Sequence, residues 1–149
     1  MPERDRRTDA FALLVADVYD AAGVLRRLGE QTAATEGQTQ ARWQVLSVIS
    51  DGDWTVPMAA DRLGTSRQAV QRIANELVDE GLAAFGENPR NQRSPFLRLS
   101  SDGHNTLDAI TKRARSQHRV LLNNLSDLDI DALRLTLQRL SAAVRSSNV

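Results

Sequence analysis

The chain has 149 residues, 41% of them hydrophobic and 26% charged, which suits one domain, or a small domain with appended helices, around a buried core. It contains no cysteine, which excludes a disulfide framework and a thiolate metal site. Its 19 basic and 19 acidic residues cancel, so any basic surface has to come from local arrangement.

In chain order, Glu3, Asp5 and Asp9 first offset Arg4, Arg6 and Arg7, unlike the cationic start of a secretory leader. The longest apolar run, residues 10–16, is far too short to span a bilayer, and a cytoplasmic protein with no membrane partner is expected. Phe11, Leu14, Val18, Ala21, Leu25 and Leu28 recur at alternating intervals of three and four, which predicts a long helix with a coiled-coil-like stripe. Residues 31–38 read as a polar loop around Gly37. Thr39 is an N-cap for a helix that turns Trp43, Leu46 and Ile49 inward. Asp51-Gly52-Asp53 breaks it, Trp54-Thr55 is short and extended, and Pro57 fits the first turn of a further helix carrying Ala59, Ala60 and Leu63.

Leu63-Gly64-Thr65 then makes a corner, and Thr65 with Gln68 matches a capping box. The helix that follows ends at Gly81, suited to a left-handed cap. At about 100° per residue, Val70, Ile73, Ala74 and Leu77 share one face, with Gln68, Gln71, Arg72 and Asn75 opposite. Two strands, 82–87 and 95–99, flank the turn-rich loop NPRNQRS, which holds Arg90 and Arg93. Ser100 or Ser101 caps a helix through Leu125, and Ile130, Leu133, Leu137, Leu140 and Val144 mark a last apolar stripe. The two end helices could cover the chain's own core or a second copy. The second copy is favoured, because so small a core leaves little to cover. Phe11, Leu14, Val18, Leu133, Leu137 and Leu140 are then dimerisation contacts.

Helix, Gly-containing turn, helix and a basic-tipped hairpin are the plan of a winged helix-turn-helix. The expected class is mainly α (α+β), with a two-stranded β-wing and N- and C-terminal dimerisation helices. The apolar face of the second helix has to pack inward, which leaves Gln68, Gln71, Arg72 and Asn75 outward, where Arg and Gln pair with guanine and adenine edges. Thr65, Ser66 and Arg67 lie at the leading turn, within reach of phosphates and aided by the helix dipole. Arg90 and Arg93 would reach the neighbouring backbone or the minor groove. The competing reading is a merely solvated polar face, with Gln68 held back by capping. Against it, the early outward turns carry no carboxylate, whereas Glu76, Asp79 and Glu80 cluster later.

The stretches TQARWQVL (39–46), TVPMAADRLGTSRQAVQRIANELVDEGL (55–82) and NPRNQRSPFLRLSSDG (88–103) together resemble the MarR family of bacterial transcription regulators, most closely over 39–107. The resemblance implies a single domain over 1–149, a winged core at 39–107, and dimerisation helices at 8–30 and 104–146. It implies a homodimer on double-stranded DNA of pseudo-palindromic sequence, acting as a repressor, and often a small-molecule effector that weakens DNA binding. By position it makes Ser66, Gln68, Gln71 and Arg72 recognition-helix contacts and Arg90 and Arg93 wing contacts. Arg42, Trp43 and the first helix could line an effector pocket, although Trp43 also suits the core. The wing departs from the family pattern, with amides at Asn88 and Asn91 where aspartates are usual.

No Gly-rich phosphate loop, nucleophile elbow or zinc-hydrolase motif is found, so no catalytic residue and no cofactor is expected. His104 and Asp108 are too few for a metal site, and His118 lies about four turns away. Lys112, Arg113, Arg115 and Arg119 could touch DNA backbone or pair with Asp127, Asp129 and Asp131. The alternative function is a winged-helix interaction module without specific DNA binding, which zero net charge favours.

Overall fold

The computed structural model describes residues 6–147, so Glu3, Arg4 and Asp5 lie outside the described residues. Two compact units meet in sequence between Arg115 and Ser116. The first contains α1 (Arg6–Ala34), α2 (Gln40–Ile49), β1 (Trp54–Thr55), α3 (Val56–Leu63), α4 (Arg67–Asp79), β2 (Ala83–Gly86), β3 (Phe96–Leu99) and the early turns of α5 (Ser101–Asn123). The second contains the last turns of α5 and α6 (Ile130–Ser146).

The helix boundaries follow local chemistry. The Thr39 hydroxyl accepts from the Arg42 N–H, and the Thr55 hydroxyl accepts from the Met58 N–H ahead of Pro57. α3 stops where Gly64 turns left-handed at φ 65°, and the Thr65 N–H returns to the Ala60 carbonyl at 3.1 Å. α4 closes through Glu80, and Gly81 at φ 75° then releases the chain toward the sheet.

Two sequence expectations change here. Residues 31–34 are helical, not looped: Thr32 and Ala33 are fully buried, and the Thr32 hydroxyl donates back to the Leu28 carbonyl at 2.9 Å. A threonine that satisfies its hydroxyl on the preceding turn costs the helix little, so polarity alone misplaced the boundary. The cap of α4 is Ser66 rather than Thr65, its hydroxyl accepting from the Ala69 N–H at 3.1 Å. The Schellman return of the Thr65 N–H onto α3 keeps that residue in the turn, so the cap moves by one, Ala69 at N3 cannot complete a capping box, and Gln68 is not held in one.

The sheet is antiparallel with order β1-β3-β2, so the hairpin wing gains β1 as a third strand. Trp54 and Phe85 both lie opposite Leu97, which is fully buried. The core draws Val45, Leu46 and Ile49 from α2, Ala59 and Ala60 from α3, and Val70, Ile73, Ala74 and Leu77 from α4, closed by Leu97 and Leu107. Burying each such leucine contributes about 2 kcal/mol, which fixes α4 by its apolar face and leaves the other face outward. Elsewhere the apolar stripes are uncovered. α1 buries only Gly29, Thr32 and Ala33 near its end, leaving Phe11 and Leu14 exposed and Val18 half-buried. In the second unit no residue of α6 is buried, with Leu133 and Leu137 exposed and Leu140 half-buried. No described helix is long and apolar enough to cross a membrane.

Candidate nucleic-acid interface

Thr65, Ser66, Arg67, Gln68, Gln71, Arg72 and Asn75 are all exposed, on the side of α4 away from its buried stripe. The Gln71 amide donates to the Asn75 side-chain oxygen at 3.0 Å, a pair one turn apart that orders both amides before anything binds. No described carboxylate lies within ion-pair distance of Arg67 or Arg72. α4 has no acid in its first turn and no base in its last, the reverse of what stabilises a helix dipole, each mismatch costing about 0.3–1 kcal/mol.

Part of that cost is offset from α2. The Arg42 guanidinium donates to both Glu80 oxygens, one at 2.9 Å, and Glu76 lies 3.9 Å away. These hydrogen bonds hold the Glu80 carboxyl below its ordinary value of 4.5, and they raise the Arg42 pKa against the opposing effect of burial. Arg42 therefore ties the trailing end of α4 to α2. Its Nε is buried without a partner, and Trp43 packs half-buried on the core.

The wing is held by its amides. The Asn88 amide donates to the Ser94 carbonyl at 2.9 Å, and its oxygen accepts from the Arg90 N–H at 3.2 Å. The Asn91 oxygen accepts from the Arg93 N–H at 3.1 Å. Each asparagine thus fixes the backbone of the arginine two residues on, as an Asx turn does. The guanidinium groups of Arg90 and Arg93 are exposed, with no described carboxylate within ion-pair distance. At the wing base Arg98 lies over the Phe96 ring, 5.1 Å from its centroid, and its guanidinium donates to Asp53 at 2.6 and 3.0 Å. Gly86 makes room for it, since a Cβ there would fall 2.7 Å from an Arg98 nitrogen.

Between the start of α4 and the wing runs a groove of about 500 Å³, lined by Arg67, Gln68, Gln71 and Arg93 together with Val56, Pro57, Phe85, Ser94 and Pro95. The structure brings four of the residues singled out in the sequence to one concavity. Thr65, Ser66, Arg72, Asn75 and Arg90 are not among its lining. Phe85, Pro57 and Pro95 escaped the sequence reading because a strand aromatic and two prolines read as packing and turn residues. The only available signal was that Phe85 sits three residues before the basic loop. Among the described residues no three His, Cys, Asp or Glu side chains cluster as metal ligands do.

A family model described as MarR family matches residues 37–94, which span α2, α3, α4 and the wing loop. Uncharacterized proteins of Mycobacterium tuberculosis and Mycobacterium bovis are each 49% identical over 139 residues, covering 93% of this chain and 97% of the relative. Among solved structures, one described as a MarR family transcription regulator superposes with a TM-score of 0.80 at 23% identity, covering 95% of this chain and 96% of that one. A MarR/EmrR family transcriptional regulator from Acinetobacter gives a TM-score of 0.79 at 20% identity, covering 91% and 97%. Wild-type MarR from E. coli, in its apo form, gives 0.68 at 22%, covering 88% and 96%. The helix-turn-helix, the family match and the shared winged-helix fold converge: the chain belongs to the MarR family.

Proposed function

We propose that this protein is a sequence-specific repressor that binds a pseudo-palindromic operator in double-stranded DNA as a homodimer, in the cytoplasm, and is released by a small-molecule effector. It acts as a single functional domain over 1–149. Its dimer contacts are the uncovered apolar faces of the N- and C-terminal helices, with Phe11, Leu14, Val18, Leu133, Leu137 and Leu140. It is a regulator and not an enzyme. The observation that carries the reading is the carboxylate-free outward face at the start of α4, opening on a groove shared with an arginine of the wing. Gln68, Gln71, Arg72 and Asn75 read base edges in the major groove. Thr65, Ser66 and Arg67 hold phosphates, and Arg90 and Arg93 extend to the neighbouring backbone and the flanking minor groove. Two heads in one dimer meet half-sites roughly 10 bp apart.

The test is fluorescence anisotropy on the DNA upstream of its own gene and on a scrambled duplex, across a salt series. Tight binding to the native duplex, with affinity falling steeply as salt rises and a clear margin over the scramble, supports the proposal. Equal binding to both removes sequence specificity. No binding to either at low salt removes the DNA reading. The second reading, an interaction module without specific DNA binding, is favoured by the zero net charge. A heparin column separates the two, because the module flows through and the DNA reader is retained.

A further inference from the structure

The groove between α4 and the wing has apolar as well as polar lining: Arg67 and Arg93 supply cations, and Pro57, Phe85 and Pro95 supply an apolar floor. Phe85 sits opposite the buried Leu97 in the sheet, yet it keeps 37% of its surface exposed. It also lines a second hollow of about 620 Å³ beneath the wing tip, so the ring forms the shoulder between the two concavities. A site built only to attract phosphate has no use for such a floor. The ligand that matches it alternates anionic and apolar groups along one line. A nucleic-acid strand does so, with sugar carbons between successive phosphates.

We infer that the groove seats one deoxyribose of the DNA strand dividing the major groove, entered by α4, from the minor groove, entered by the wing. Phe85 is the platform beneath the sugar, and Arg67 and Arg93 hold the phosphates on either side. This rests on the proposal that α4 and the wing bind duplex DNA. It adds a contact that carries no base information but fixes the angle between helix and wing on the duplex. It also predicts chemical selectivity. Gln68, Gln71 and Ser94 line the same groove, so the selectivity requires the ribose 2′-hydroxyl to face Pro57, Phe85 and Pro95, which offer no side-chain acceptor; pressed against them it loses its water without gaining a partner.

The experiment uses the full chain and the strongest duplex it selects from a random-sequence DNA pool, with single ribonucleotides substituted along each strand. The expected result is one position per half-site where a ribonucleotide weakens binding about tenfold, the size of an unsatisfied buried hydroxyl. F85A abolishes that penalty, whereas F85L, which keeps an apolar floor, retains it. Phe85 serving only to fill the core would lower affinity at every position alike and leave the penalty in place. Methylphosphonate at the flanking phosphates weakens binding by the wild type. One of the two flanks loses its effect in R67A and the other in R93A. A uniform ribonucleotide profile, or a penalty that persists in F85A, overturns the inference while DNA binding stands. Failure to enrich any duplex withdraws the DNA reading and the inference with it.

Discussion

Gly103 is the third residue of α5, and a Cβ added there would lie 1.9 Å from the Leu82 carbonyl oxygen, 3.0 Å from its carbon and 3.2 Å from a Leu99 methyl. Neither side can simply withdraw. That carbonyl accepts from the Ser100 N–H at 3.0 Å, while the Ser100 hydroxyl donates to the Gly81 carbonyl at 2.6 Å and accepts from the Gly103 N–H at 3.0 Å. Restoring an ordinary carbon–oxygen contact of about 3.3 Å means opening the joint by roughly 1.4 Å. Such a shift breaks the Ser100–Leu82 hydrogen bond, worth about 1 kcal/mol, and adds overpacking strain of about 3 kcal/mol. Alanine recovers about 1 kcal/mol of helix propensity. Gly103→Ala should therefore cost about 3 kcal/mol net and lower the melting temperature by roughly 6–12 °C for a chain of this size. Urea unfolding followed by circular dichroism at neutral pH reads it directly. A Gly103→Ala protein as stable as the parent would refute the close approach of α5 to the wing base.

Arg72→Ala should cost about 1–3 kcal/mol on the preferred duplex and relax choice at one base pair per half-site; equal losses on preferred and random DNA would show that Arg72 touches only backbone. Asn91→Asp keeps the acceptor for the Arg93 N–H and adds one negative charge, so nonspecific affinity should fall at unchanged thermal stability; a rise in affinity on random DNA defeats this account of the wing. The Glu80 carboxyl is depressed in the folded protein, so the unfolded chain binds its proton more readily. Its contribution is full above about pH 5 and is lost as pH falls through the depressed value. With half of that side chain exposed the amount is at most about 1 kcal/mol, and Glu80→Gln should remove this part of the acid dependence of unfolding.

What the sequence made legible was set by strong local signals. Thr39 and Pro57 marked their helix starts, Gly64 and Gly81 marked the ends, and the stripe Val70–Ile73–Ala74–Leu77 oriented α4. The misreadings came where local signals competed. Thr65 and Ser66 are both good caps, and only the hydrogen bond of the Thr65 N–H back to Ala60 decides between them. Thr32 looks like loop until its hydroxyl finds the preceding turn. Long-range partnerships left no trace at all. Arg42 with Glu80 is 38 residues apart and Arg98 with Asp53 is 45, and nothing in their neighbours announces either pair. The Asn88 and Asn91 contacts were closer at hand, since an asparagine two residues before an arginine is the spacing of an Asx turn.

The placement of charge along α4 gives the approach to DNA its character. The helix is about 20 Å long, with Arg67 and Arg72 toward its start and Glu76, Asp79 and Glu80 toward its end, aligned with its own backbone dipole. In a chain of zero net charge, a distant polyanion exerts almost no pull on such an arrangement, but it exerts a torque. Within the roughly 10 Å over which salt leaves a field unscreened, that torque turns the arginine end inward and the acidic end away. Under the DNA-binding proposal, α4 would then meet a duplex with its arginine end foremost.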